Sequence, residues 1–77
     1  MGIKDVKDAF NSVSQPAGFV CGTATLTYVP VNGEEMQRIA FSGTRPNGDP
    51  FSVSADVPRE GDLLAAARGA ATNLIGA

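Results

Sequence analysis

Two Asn-Gly dipeptides separate three segments in which apolar and polar residues alternate. Alternation with a period of two is typical of a strand that buries one face, and Asn-Gly favours a tight turn because both residues tolerate positive φ. The alternating segments cover residues 19–29, 36–43 and 51–57, and the dipeptides are Asn32-Gly33 and Asn47-Gly48. The sequence therefore predicts a three-stranded antiparallel meander.

Apolar residues at helical spacing flank this meander on both sides. Residues 3–14 are predicted to form a helix because one stripe collects Ile3, Val6, Phe10 and Val13. A second helix is predicted to end near Ile75. Its start has two candidates: Pro58, which suits a first helical position, and Asp62, which suits a cap.

The predicted fold is an α+β two-layer sandwich of order α-β-β-β-α, in a single domain spanning residues 1–77. Both helices are expected to cover the same apolar face of the sheet. Gly22 indicates a bulge or a close contact in the first strand. Cys21 is expected to be partly exposed, because it alternates in step with the polar residues of the opposite face. Those residues are Thr23, Thr25, Thr27, Arg38, Ala40, Ser42, Ser52, Ser54 and Asp56.

The α-β-β-β-α order closes on an alanine-rich helix, "AAARGAATNLI". In this topology most of the chain resembles the double-stranded RNA-binding domain. The resemblance implies RNA contacts from the first helix, from the first strand–strand loop and from lysines that open the second helix. The corresponding loop, residues 30–35, is acidic here, and residues 59–62 contain no lysine. No RNA-contact residue is therefore carried over.

The composition excludes several classes of function. The chain has no histidine, so a Ser–His–Asp or Cys–His site within one chain is impossible, and no nucleotide-binding or zinc motif is present. We expect no enzymatic activity, cofactor or metal site, and Glu34, Glu35 and Asp49 lack the spacing of a calcium loop. The net charge of −2 disfavours nucleic acid as a partner.

The cellular setting is expected to be the cytoplasm. The single cysteine, Cys21, allows no intrachain disulfide and suits a reducing compartment, and lysines and aspartates interrupt residues 1–8 before a signal-like apolar run forms. The most apolar tract, residues 63–77, contains Arg68 and Asn73 and is too short to span a membrane.

These features favour a small non-enzymatic accessory or regulatory protein of bacterial or phage type that docks on a protein partner. The predicted contact residues are Arg38, Arg45, Thr23, Thr25, Thr27, Ser52 and Ser54. One alternative is a nucleic-acid-binding module, which requires Arg38, Arg45, Arg59 and Arg68 to converge on one surface. The other is a structural homo-oligomer such as a homodimer, paired through strand edges or the sheet face.

Two further features of the sequence each have two interpretations. The segment "TRPNGDP", residues 44–50, is either a bend or a contact loop that presents Arg45. A small-residue patch on the second helix packs either within the domain, which we favour, or against a helix of another copy. This patch consists of Ala66, Gly69, Ala70 and Asn73.

Overall fold

An antiparallel three-stranded sheet carries two helices on one of its faces, in a computed structural model that describes residues 2–77. The sheet order is β1-β2-β3. The elements are α1 (Ile3–Ser14), a short 3₁₀ turn (Gln15–Ala17), β1 (Val20–Val31), β2 (Glu34–Thr44), β3 (Pro50–Pro58) and α2 (Leu63–Gly76). The predicted α+β sandwich of order α-β-β-β-α is confirmed.

A stack of phenylalanines forms the centre of the core. Phe10 of α1 lies 4.3 Å from Phe41 and 5.9 Å from Phe51, between ring centroids. Around this stack α1 contributes Val6 and Ala9, and α2 contributes Ala67, Ala71 and Leu74. Because both helices share one core with the sheet, they cover the same face of it, as the alternation of the strands predicts.

The two hairpins differ in their turns. The first is a two-residue turn in which Asn32 (φ 52°) and Gly33 (φ 81°) are both left-handed, as its Asn-Gly signal predicts. In the second, only Gly48 is left-handed (φ 91°), so the expectation of positive φ at Asn47 is wrong. There the Gly48 N–H donates to the Arg45 carbonyl, which makes a type I turn.

A bulge at Gly22 overturns the expected exposure of Cys21. The pairing of β1 with β2 slips between Cys21 and Thr23, so Gly22 is an extra residue and the alternation reverses across it. As a result Cys21 is buried, at 2% exposure, whereas Val20 points outward. Gly43 pairs with Cys21, and a Cβ there would overlap the Val20 carbonyl oxygen.

The structure shows which of the two predicted candidates begins α2. Asp62 caps the helix, since its Oδ1 accepts hydrogen bonds from the backbone N–H groups of Leu64 (3.0 Å) and Ala65 (3.1 Å). Pro58 is instead the last residue of β3, so the assignment of Pro58 to the helix start is wrong.

Candidate docking surface

The polar face of the sheet is open, and it carries most of the predicted contact residues. Thr23, Thr25, Thr27, Ser52 and Ser54 are all exposed there. Arg38 lies on the same face but is bound within the sheet: its Nε donates to Asp56 Oδ1 at 2.7 Å, and a second guanidinium nitrogen donates to Oδ2 at 3.0 Å. This bidentate hydrogen bonding lowers the pKa of the Asp56 carboxyl and raises the pKa of Arg38. The face therefore presents hydroxyls and an internally neutralised ion pair.

The four arginines required for a nucleic-acid surface do not converge. Arg38 lies on the open face, and Arg68 is exposed on the opposite, helical layer. Arg45 precedes β3 and Arg59 follows it, so the nine residues of that strand, about 26 Å long, separate them. Within residues 2–77 these arginines therefore form no continuous basic patch of the kind that phosphate binding requires.

The acidic loop residues and the cysteine, which are the other side chains that could act chemically, also lie apart. Glu34 and Glu35 lie at the turn between β1 and β2, whereas Asp49 lies at the other end of the sheet. Among residues 2–77 no three potential ligands of His, Cys, Asp or Glu type form a cluster. Burial raises the pKa of the Cys21 thiol, whose Sγ donates to the Thr23 carbonyl at 3.2 Å, so this thiol is not activated.

A side chain of α1 closes the outer edge of β1 at Cys21. Asn11 Oδ1 accepts the Cys21 N–H at 2.9 Å, and Asn11 Nδ2 donates to the Cys21 carbonyl at 3.1 Å. The amide thus takes the place that a neighbouring strand would occupy. Together with the Gly22 bulge, it makes this part of the edge unsuitable for pairing with another strand.

In the part of the chain that the structure describes, the outer edge of β3 has no such side chain bound to it. The Arg45 N–H donates to the Asp49 carbonyl at 2.7 Å, which sets the alternation of the β2–β3 ladder. From that pair onward, Phe51, Val53, Ala55 and Val57 turn their main-chain groups toward β2. The N–H and C=O groups of Ser52, Ser54 and Asp56 point away from the sheet, and within residues 2–77 no hydrogen bond from another element reaches them.

A groove of about 480 Å³ runs beside this free edge, between β3 and α2. Val53 and Ala55, both half-buried, form its floor, and Arg45 lies at one end. Its helical wall is the small-residue patch of Ala66, Gly69, Ala70 and Asn73. We call the groove and the free edge together the β3–α2 surface: Arg45, Ser52–Asp56, Ala66, Gly69, Ala70 and Asn73.

The small-residue patch packs within the domain only in part, through Ala66 and Ala70, which contact the core. Ala66 and Ala70 are half-buried, but Gly69 and Asn73 are exposed, and a Cβ at Gly69 would meet no atom within 4 Å. The tight contacts of α2 are made instead by Ala67 and Ala71, both fully buried. The small size of Gly69 therefore serves no contact within residues 2–77.

The "TRPNGDP" segment forms the predicted bend and places Arg45 at the surface. As a bend, it is stabilised by Asn47, whose Oδ1 accepts the Asp49 N–H at 3.0 Å. Pro46 packs against the backbone of Gly18, where an added Cβ would lie 2.9 Å from Pro46 Cγ. Arg45 is exposed, donates from Nε to the Pro50 carbonyl at 3.3 Å and lines the groove. The contact function of Arg45 stays a prediction.

The contact residues predicted from sequence include only part of the β3–α2 surface. Arg45, Ser52 and Ser54 belong to it, whereas Thr23, Thr25, Thr27 and Arg38 lie elsewhere on the sheet. Val53 and Ala55 were missed as site residues because alternation predicts them to be core. The sequence signal that identified the helical wall was the run of small residues on one side of α2.

Comparisons with protein-family models, with curated proteins and with solved structures find no match for this chain. The resemblance to the double-stranded RNA-binding domain therefore rests only on the order of the elements and the alanine-rich second helix, and fold alone does not determine function. Within residues 2–77, neither helix has the length and apolar character needed to cross a membrane.

Proposed function

We propose that this chain is a small non-enzymatic docking protein, an accessory or regulatory module of bacterial or phage type, that binds protein through the β3–α2 surface. The observation that supports this proposal is a free strand edge beside an unfilled apolar groove. A partner strand added to such an edge gains affinity from main-chain hydrogen bonds, and its alternate side chains enter the groove. The buried free thiol of Cys21 fits a reducing compartment such as the cytoplasm.

A protein partner fits this surface better than the alternatives do. Unpaired strand N–H and C=O groups match another peptide backbone, whereas phosphate binding relies on lysine and arginine, and the groove contains only Arg45. The threonine-rich open face stays a second candidate for contact. It has less to offer a partner, because its main charged group, Arg38, is already bound to Asp56.

A matched pair of variants on α2 tests the proposal. Gly69→Glu places a charge in the groove, and it leaves the fold intact because the position is exposed and glutamate favours helix over glycine. Thr72→Glu adds the same charge on the same helix, at an exposed residue outside the groove.

Tagged wild-type and variant chains would be expressed in the source cells and purified with the chains bound to them, an untagged copy of this chain included. We expect Thr72→Glu to retain the bound chains and Gly69→Glu to lose them. If Gly69→Glu retains the same bound chains as the wild type, or the wild type binds none, the proposal is wrong.

A further inference from the structure

We infer that the partner at the β3–α2 surface is a second copy of this chain, paired antiparallel through β3 with Ser54 on the two-fold axis. The inference rests on the proposed docking function and names its partner. Ser54 lies midway between Pro50 and Pro58, which bound the strand and have no N–H to donate. A strand with donors only between two equidistant prolines is complementary to itself when it is reversed.

The main-chain groups match in this register. Ser54 pairs with Ser54 of the second copy, and Ser52 pairs with Asp56 of the second copy on either side of the axis. All three residues direct their N–H and C=O groups outward, so the paired edges form about six new hydrogen bonds. The two prolines then oppose each other, and no strand donor is left without an acceptor.

The apolar groups on the helical side match as well. The same register places Val53 against Ala55 of the second copy, so the two half-buried side chains of the groove floor cover each other. Above them, the wall of Ala66, Gly69 and Ala70 faces the same wall of the second copy across the axis. Helices approach closely where their contacting side chains are small, which gives Gly69 the function that the single chain lacks.

The charges at the two ends of β3 favour the antiparallel arrangement. Arg45 and Asp49 precede the strand, and Arg59 and Glu60 follow it. Antiparallel pairing brings the start of one strand beside the end of the other, so that Asp49 comes near Arg59 of the second copy. Parallel pairing in register would instead bring each charge beside its own like.

The register is tested by introducing a cysteine at the axis. In Ser54→Cys the two new thiols lie on paired residues about 5.5 Å apart between Cα atoms, which suits a disulfide. In Ser52→Cys, the matched control on the same edge, the two thiols are separated by four residues of strand, about 13 Å, which is too far. The native thiol of Cys21 is buried and does not compete.

Under mild oxidation of the purified proteins we expect Ser54→Cys to form a disulfide-linked dimer and Ser52→Cys to stay a single chain. Equal cross-linking of both variants, or cross-linking of Ser52→Cys alone, would contradict the register. Failure of both to cross-link would also overturn the inference, provided that both variants give the wild-type circular dichroism spectrum.

A measurement without cross-linking tests the dimer itself. Light scattering of the wild type over rising concentration should show the mass double, with the same behaviour for Thr72→Glu and a dissociation constant at least about tenfold higher for Gly69→Glu. A wild type that stays monomeric up to roughly 0.5 mM overturns the homodimer. The docking function would survive that result if source-cell chains still bind Thr72→Glu and not Gly69→Glu, so the two failures can be told apart.

Discussion

Asn11→Ala is expected to destabilise the fold, because it removes the side chain that closes the edge of β1. The amide makes two hydrogen bonds with the backbone of Cys21, at 2.9 and 3.1 Å. Each such bond contributes roughly 1 kcal/mol net, and alanine recovers roughly 0.5 kcal/mol of helix propensity. The free energy of unfolding should therefore fall by about 1.5 kcal/mol.

This loss is large for so short a chain. At about 0.1 kcal/mol per residue, a domain of this length has a stability of about 8 kcal/mol, and a loss of 1.5 kcal/mol lowers Tm by about 10 °C. Urea denaturation followed by circular dichroism measures the change. Amide hydrogen exchange at Cys21 gives a local readout, since this N–H loses its acceptor and should exchange faster.

Ser12→Ala provides the matched control on the neighbouring residue of α1. Ser12 is exposed, and its hydroxyl donates only to the Ala9 carbonyl of its own helix, at 2.6 Å. Ser12→Ala should change the free energy of unfolding by no more than about 0.5 kcal/mol. If Asn11→Ala and Ser12→Ala unfold at the same urea concentration, water replaces the amide at no cost, and the closure of the β1 edge by Asn11 contributes nothing to stability.

Four further substitutions test other parts of the fold. Gly43→Ala should cost more than about 2 kcal/mol in urea denaturation, because its Cβ collides with the backbone of β1 and not with a flexible side chain. Gly48→Val should cost about 1–3 kcal/mol, since valine is strained at φ 91°, whereas Arg45→Ala should leave stability within about 0.5 kcal/mol. A fall in partner affinity on Arg45→Ala would identify the loop as a contact, and unchanged affinity would leave it a bend. Arg38→Gln should destabilise the protein at neutral pH but not in strong acid. The folded-state pKa of Asp56 is lowered, so its stabilisation exists above the ordinary carboxyl pKa and disappears as pH falls through the folded value. Unfolding midpoints of Arg38→Gln and wild type that differ equally at pH 7 and pH ~2 would contradict this assignment.

The sequence was most informative where a signal is local. Alternation with a period of two identified all three strands, because a strand with one buried face needs no information beyond its own residues. Helical spacing placed α1 at its observed bounds, residues 3–14, and of the two candidates for the start of α2, Asp62 was correct and Pro58 was wrong. The fold class follows from the order of these elements, since each apolar face must be covered by another.

The exposure of Cys21 and the backbone conformation of the turn residues depended on how the strands pair with one another. One extra residue at Gly22 reverses the alternation, and a bulge is defined only by the strand opposite. In the sequence alone, Asn11 is similarly an ordinary polar residue on the outer side of a helix. Its function becomes apparent only when the packing of α1 brings its amide to the Cys21 backbone.

The β3–α2 surface likewise depends partly on local sequence and partly on the tertiary structure. The sequence by itself determined the strands, the helices, the absence of histidine chemistry and the small-residue side of α2. Only the tertiary structure decided that this side of α2 faces an open groove and that the free edge of β3 lies beside this groove. The free edge and the groove result from the relative placement of elements that are far apart in the chain. No local pattern of residues can therefore predict either of them.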